Sequence, residues 1–382
     1  MFSNQELLRY SRQIILPDLG LEGQQKLKDG SVLVIGAGGL GSPALLYLAA
    51  AGVGRIGIVD FDKVDASNLQ RQILYKQQDL GKSKSFIARE RLQEQNPHIQ
   101  VEAYESILSA ENAMDILSQY SLVIDGSDNL PTRYLVNDAC VLLNKPLVYG
   151  AIFRFEGQVS VFNQPDSQGN RGPNYRDLFP EPPPPEMVPS CAEGGVMGVL
   201  PGIIGSMQAN EAIKILAGIG TTLSGRLLLF DGLEFSTRFL RLKSNPDNPL
   251  SGTHPTIHQL IDYEAFCNPG HAGVDNSVEE ISPLEVRELI REGNTFQFID
   301  VREPLEYQMV NIGAINIPLK SLKENVSLIQ KEGLVVVHCK SGQRSFQAVQ
   351  KLQTEFGFNN LKNMKGGLLG WRREVDPELP VS

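Results

Sequence analysis

Val32-Leu33-Val34-Ile35-Gly36-Ala37-Gly38-Gly39-Leu40-Gly41 carries a β-branched run straight into a glycine-rich turn that opens a helical segment. Gly36, Gly38 and Gly41 stand in G-x-G-x-x-G spacing, with Gly39 beside them. Glycine there makes the tight turn and lets backbone N–H groups and the positive helix end approach a phosphate. Outward from this stretch, short β-branched runs recur at 56–60, 99–103, 122–125 and 147–149, with helical-period segments between them. That alternation predicts an α/β fold, Rossmann-like, with a parallel sheet covered on both faces. After Gly150 the pattern changes to runs at 158–162 and 225–230 around a helix near 202–216, so the sheet is expected to become mixed. Asp60 ends the second run, where a carboxylate accepts ribose hydroxyls.

A dinucleotide fold and an NAD-dependent oxidoreductase would account for these features alone. The residues beyond Asp60 point elsewhere: Asn68, Arg71 and Lys84 bring an amide and two cations to the place where a nicotinamide needs an apolar slot. A triphosphate needs such cations, which also stabilise charge building on a pyrophosphate leaving group. Asp128, in Ile124-Asp125-Gly126-Ser127-Asp128-Asn129, lies at the carboxyl edge of the sheet, and a carboxylate there suits Mg2+.

Together GAGGLG, DFDKVDASNLQRQ, GKSK, IDGSDN and the N-terminal RYSRQI resemble the MoeB/ThiF adenylyltransferases, relatives of the ubiquitin-activating enzymes, over about Met1 to Gly252. The resemblance implies that the C-terminal Gly-Gly carboxylate of a ubiquitin-like sulfur carrier protein (MoaD/ThiS type) attacks the α-phosphate of ATP, giving an acyl-adenylate and pyrophosphate. It assigns Gly39, Asp60, Asn68, Arg71, Lys84 and Asp128 to ATP or Mg2+. It also assigns Arg12 to the ATP of the other subunit of a homodimer, and Cys191, in Pro189-Ser190-Cys191-Ala192-Glu193, to a covalent bond with the carrier. Glu193 is the only charge beside Cys191, and it disfavours a thiolate, which leaves Cys191 between catalytic and bystander. Where the family carries two C-x-x-C pairs for a structural zinc, this chain has Asn174, Asp177, Asn248 and Ser251, a set that does not make a structural zinc site, so zinc is predicted absent.

The C-terminal part has its own β/α alternation: helix 283–292, strands 296–300 and 335–338, helix 344–356. Cys339 follows the run Val335-Val336-Val337-His338 and begins Cys339-Lys340-Ser341-Gly342-Gln343-Arg344-Ser345 at the start of a helix. A helix N-terminus with Lys340 and Arg344 nearby favours a thiolate. With DVREPLEY, GAINIP and GGLLGW, the segment resembles a rhodanese domain, which implies a persulfide on Cys339 and a cysteine desulfurase or other persulfide donor. It departs at Asn311-Ile312, where rhodaneses often have His. Cys-dependent phosphatases have a similar loop with one more residue between Cys and Arg; the four residues here suit a single sulfur better than a phosphate.

The chain of 382 residues predicts two or three domains, read as 1–250 adenylyltransferase, 251–276 linker and 277–382 rhodanese domain. Net charge −9 disfavours nucleic acid and anionic membranes, and 41% apolar with 21% charged residues excludes wholesale disorder. Four scattered cysteines and an N-terminus without an apolar h-region suggest a reducing, cytoplasmic setting. Cys140 and Cys267 read as structural. The expected function is carrier adenylation followed by sulfur transfer from Cys339, in molybdenum cofactor biosynthesis, with thiamine and tRNA-thiolation carriers as alternatives. A non-catalytic carrier-binding scaffold is the remaining option, and the intact nucleotide residues count against it.

Overall fold

The structure is a computed structural model that describes residues 2–183, 195–267 and 278–381. The chain divides into two compact units, Met1–Ala272 and Gly273–Ser382.

The first unit is built on eight strands: β1 (Ser31–Ile35), β2 (Arg55–Val59), β3 (Gln100–Tyr104), β4 (Leu122–Asp125), β5 (Leu147–Phe153), β6 (Glu156–Phe162), β7 (Arg226–Asp231) and β8 (Ser236–Arg241). Their order is β3-β2-β1-β4-β5-β6-β7-β8, parallel from β3 to β5 and antiparallel from there on. The alternation of side chains along a strand explains the uninterrupted Val32-Leu33-Val34-Ile35 run. Val32 and Val34 enter the core on one face with Ile56 and Ile58, while Leu33 and Ile35 enter the core on the other with Val59 and Val123. Because β1 lies between β2 and β4, the chain leaves it first to one side and later to the other. That reversal opens a crevice at the carboxyl ends of the strands, where α/β folds bind ligands. Strand β8 is exposed along its whole length. It was not foreseen, since an exposed edge strand has no buried face to impose a pattern.

The first unit also extends past the expected boundary at 250. Part of the segment read as a linker folds as a short helix, Tyr263–Cys267, with both of these residues buried. The Tyr263 hydroxyl donates to Asp138 Oδ2 at 2.8 Å. Asp138, in helix Leu130–Leu142, also takes a two-pronged contact from the buried Arg176 guanidinium at 2.8 and 2.7 Å. Breaker-rich composition hides such a segment from periodicity, because a few anchoring side chains, rather than a continuous apolar face, hold it down. Among the described residues no helix is long and apolar enough to cross a membrane.

The second unit is a five-stranded parallel sheet in the order β11-β10-β12-β13-β9, with β9 (Glu280–Ile281), β10 (Gln297–Asp300), β11 (Ile315–Asn316), β12 (Val335–His338) and β13 (Leu361–Met364). The central β12 is buried at every position, which is why it reads as an unbroken apolar run. Its chain continues into Cys339 and helix Gln343–Phe356.

Candidate active sites

In the first unit the glycine turn is shaped by close backbone approaches. Gly36 has φ +86, and a Cβ there would lie 2.9 Å from Gly126 O; a Cβ on Gly41 would lie 1.9 Å from Gly36 O. Side chains are therefore excluded by the turn itself and by the β4 loop that carries Asp128. Asp60 is tied to the same turn: Ala37 N–H donates to its Oδ2 and Asp62 N–H to its Oδ1, both at 2.8 Å. Burial raises the Asp60 carboxyl, and the nearby Lys84 charge acts against that rise. The remaining lone pairs of Asp60 are left for hydroxyl donors.

Lys84 opens helix Lys84–Gln95, is buried, and pairs with Asp62 at 2.9 Å. Arg71 donates from Nη1 to Ser67 O at 2.9 Å, and a Cβ on Gly39 would sit 3.8 Å from Arg71 Cδ. Asn68 lies in the same turn, and its carbonyl accepts from Arg71 N–H at 3.0 Å. Gly36 to Gly41, Asp60, Asn68, Arg71 and Lys84 thus form one neighbourhood. The Tyr75 hydroxyl, which the sequence reading passed over, lies 2.8 Å from Ala37 O and 3.3 Å from Lys84 O and so links the turn to the lysine. Asp128 is exposed beyond β4. Arg12 is also exposed, in helix Ser11–Ile14, and contacts none of these groups within its own chain.

Below Asp128 lies a second group that the sequence reading missed. Asp125 is fully buried and accepts from Ser127 N–H at 2.9 Å and Ser127 Oγ at 2.5 Å. Its Oδ2 lies 3.6 Å from Arg133 Nε, and neither atom has a hydrogen-bond partner among the described residues. Burial raises the Asp125 carboxyl while Arg133 pulls it down. The signal available was an acid closing a buried strand, which normally implies a partner.

The four residues standing at the expected metal positions do meet in space, as hydrogen-bond partners of one another. Asn174 Nδ2 donates to Ser251 Oγ at 2.7 Å, and Asn248 Nδ2 lies 2.7 Å from Asp177 Oδ1 and 3.3 Å from Asn174 Oδ1. Asn248 Oδ1 in turn accepts from Leu250 N–H and Ser251 N–H at 2.9 and 3.2 Å.

In the second unit, Cys339 is fully buried at the end of β12, and its Sγ faces Gly342 N–H at 3.2 Å and Ser345 Oγ at 3.4 Å. Ser345 Oγ is also 2.7 Å from Asn363 Oδ1 of β13, a residue without a sequence signal. The loop is closed from behind: Leu368 N–H donates to Cys339 O at 2.9 Å and Leu369 N–H to Lys340 O at 3.0 Å. Gly367, at φ +55, passes so close that a Cβ would lie 2.4 Å from Cys339 O, which accounts for the glycines of GGLLGW. Arg344 reaches out to Glu306. His338, buried as the last residue of β12, is pushed down to about 4 by burial, against the pull of Asp300, and is neutral at neutral pH. Burial pushes the Cys140 thiol up and the Cys267 thiol up to about 11, in keeping with structural roles. Cys191 lies outside the described residues.

These two sites correspond to two family matches: the ThiF family over residues 10–251 and the rhodanese-like domain over residues 282–374. The probable adenylyltransferase/sulfurtransferase MoeZ of Mycobacterium tuberculosis is 47% identical over 99% of this chain and 95% of its own length. The sulfur carrier protein adenylyltransferase of Thermus thermophilus is 58% identical over 70% of this chain and 98% of its own. The adenylyltransferase and sulfurtransferase MOCS3 of Drosophila grimshawi is 43% identical over 99% of this chain and 87% of its own. Among solved structures, E. coli MccB with ATP shares the fold, with TM-score 0.55 and 21% identity over 66% of this chain and 75% of that one. The glycine turn with its cations and the cysteine loop with its backing glycines thus fall within the two matched segments, and the chain belongs to the ThiF family, as an adenylyltransferase and sulfurtransferase whose second unit is a rhodanese-like domain.

Proposed function

We propose that the first unit adenylates the C-terminal glycine of a ubiquitin-like sulfur carrier and that the second delivers sulfur to it from a Cys339 persulfide, in molybdenum cofactor biosynthesis. The observation that carries this reading is the placement of Arg71 and the buried Lys84 around the glycine turn beside Asp60. In the reading, Asp60 accepts the ribose hydroxyls, and N–H groups of the turn hold the phosphates. The carrier carboxylate attacks the α-phosphorus, and Arg71 and Lys84 offset the charge that gathers on departing pyrophosphate. Exposed Asp128 is a hard oxygen ligand of the kind Mg2+ takes, and the ion would neutralise phosphate charge there. The persulfide sulfur then attacks the acyl carbon and displaces AMP, leaving an acyl disulfide on Cys339; a second thiol attacks the Cys339 sulfur, forms a disulfide with it and releases the thiocarboxylate. Tethering the two units raises the effective concentration of sulfur donor at the adenylate.

The reading includes a cytoplasmic homodimer in which Arg12, exposed in its own chain, completes the partner's ATP site, and a cysteine desulfurase or other persulfide donor. No structural zinc is part of it, because Asn174, Asp177, Asn248 and Ser251 already satisfy one another. The domain organisation is 1–250 for adenylation and 277–382 for sulfur transfer, with the Tyr263 helix serving the former. Pyrophosphate exchange into ATP, measured with a panel of Gly-Gly-terminated molybdopterin, thiamine and tRNA-thiolation carriers, tests reaction and partner together. Exchange with none of them would defeat the adenylation reading; exchange with only a thiamine or tRNA-thiolation carrier would move the pathway.

A further inference from the structure

The guanidinium in the Cys339 loop is already engaged by an acid. Arg344 Nη1 meets Glu306 Oε2 at 2.7 Å and Nη2 meets Oε1 at 2.8 Å, a two-pronged, charge-assisted geometry. Glu306 is held from its other side by Glu303 N–H, which donates to Oε2 at 3.0 Å. Burial works to raise the Glu306 carboxyl, but the Arg344 charge and its hydrogen bonds outweigh it and hold the group below the usual range. Both partners are therefore ionised at neutral pH, and the formal charge of the pair is zero.

A small dianion such as thiosulfate is drawn to a loop by uncompensated positive charge. A carboxylate within hydrogen-bond distance of the loop arginine cancels most of that attraction. The helix that supplies Glu306, Pro304–Met309, also exposes Leu305 and Met309 at 70% and 71%, one turn apart. Such apolar surface is of no use to a small anion and suits a protein that covers it.

Resting on the sulfur-transfer reading, we propose that Glu306 sets the class of sulfur donor: by neutralising Arg344 it disfavours small anionic donors and leaves the loop to persulfides carried on proteins. Either donor reacts in the same way. The Cys339 thiolate attacks the sulfane sulfur, and a new S–S bond forms on Cys339 as the donor's S–S bond breaks. The electron pair leaves with sulfite from thiosulfate, or with the thiolate of the protein donor, so no oxidant is required.

The test uses the full-length protein and its Glu306→Gln and Glu306→Asp variants. Gln keeps the size and an oxygen for Glu303 N–H, and Asp keeps the charge. With thiosulfate and cyanide, Glu306→Gln should lower KM for thiosulfate about tenfold, equivalent to about 1.4 kcal/mol, with little change in kcat. Glu306→Asp should stay near the parent, and loading of Cys339 by a cysteine desulfurase fed L-cysteine, read by intact mass, should not improve in either variant. An unchanged thiosulfate KM in Glu306→Gln, or an equal gain with both donors, overturns the proposal. Should Glu306→Gln not fold, the parent protein still decides: its KM for thiosulfate should respond weakly to ionic strength, and a steep rise with salt would reveal an uncompensated cation and overturn the proposal. If the parent loads Cys339 from neither donor, the sulfur-transfer reading itself fails, a result distinct from a failed donor preference.

Discussion

The nucleotide cradle and the cysteine loop solve opposite electrostatic problems. In the cradle, charges are gathered from distant parts of the chain: buried Asp60 from the end of β2, part-buried Arg71 from the turn beyond it, buried Lys84 from a helix start, and exposed Asp128 from beyond β4. In the loop, the reactive sulfur is buried, and its nearest polar neighbours are Gly342 N–H and Ser345 Oγ, a few residues on. A multiply charged substrate brings its own charge and needs opposing groups on several sides. A single sulfur needs only short-range dipoles, which one tight loop can supply.

The largest expected effect breaks the comparison at the loop. Cys339→Ala should abolish sulfurtransferase activity and leave carrier-dependent pyrophosphate exchange intact, since the reacting groups belong to different units. Retained sulfur transfer, with loss instead in Cys191→Ala, would make the second unit a docking module. At the cradle, removal of a single charge should be severe but graded. Arg71→Ala should reduce pyrophosphate exchange by about 10²- to 10³-fold, and full exchange in that variant would remove the basis for the adenylation assignment.

Acid should separate the two units by stability. His338 has its folded value depressed from 6.5 to about 4 by burial, so the unfolded chain binds the extra proton first. Its contribution is complete above pH 6.5 and is lost as pH falls toward 4, by roughly 3 kcal/mol. In the first unit, Glu6 is held down to about 2 by Lys28 and the Ser3 N–H, and Glu102 to about 2 by Arg55, both from 4.5. Their stabilisation is present above pH 4.5 and is lost only between there and about 2. The single tryptophan, Trp371, is buried in the second unit, so its fluorescence follows that unit alone. Denaturant midpoints read from Trp371 should fall between pH 6.5 and 4, and His338→Gln should flatten that fall; an identical slope in the variant would remove His338 as its cause.

The smallest effect concerns the amide cluster of the first unit. Asn248→Ala should cost about 1–3 kcal/mol, because it strands the Leu250 and Ser251 N–H groups and removes one of the hydrogen bonds on Asp177. Chelators should leave the melting temperature of the parent unchanged, and elemental analysis should find well under one zinc per chain. Stoichiometric zinc would refute the cluster's role and direct attention to His254 and His258.

Much of the cradle was legible because its grammar is local. Gly36 to Gly41 must turn within a few residues, and Asp60 ends a strand whose apolar run is visible by eye. Cys339 was legible for the same reason, as a thiol following Val335-Val336-Val337-His338 and preceding a helix. Strand β8 and the Tyr263 helix were not, since one is exposed on every side and the other is held by Tyr263 and Cys267 rather than by a periodic face. Asp125 and Arg133 were passed over because an acid at a strand end shows no partner until the helix after it folds back.

By itself the sequence determined the two α/β units, the phosphate turn, the cations beyond Asp60 and the cysteine loop, because each depends on spacing within one strand–turn–helix segment. Tertiary structure alone decided which charges meet. Glu306 reaches Arg344, Asn363 reaches Ser345, Arg176 and Tyr263 both reach Asp138, and Asn174 reaches Ser251 across long stretches of chain. Such pairings follow from the order of strands in the sheet and the helices packed upon it. A buried polar group must find its partner wherever the fold brings one, and sequence separation carries no record of that distance.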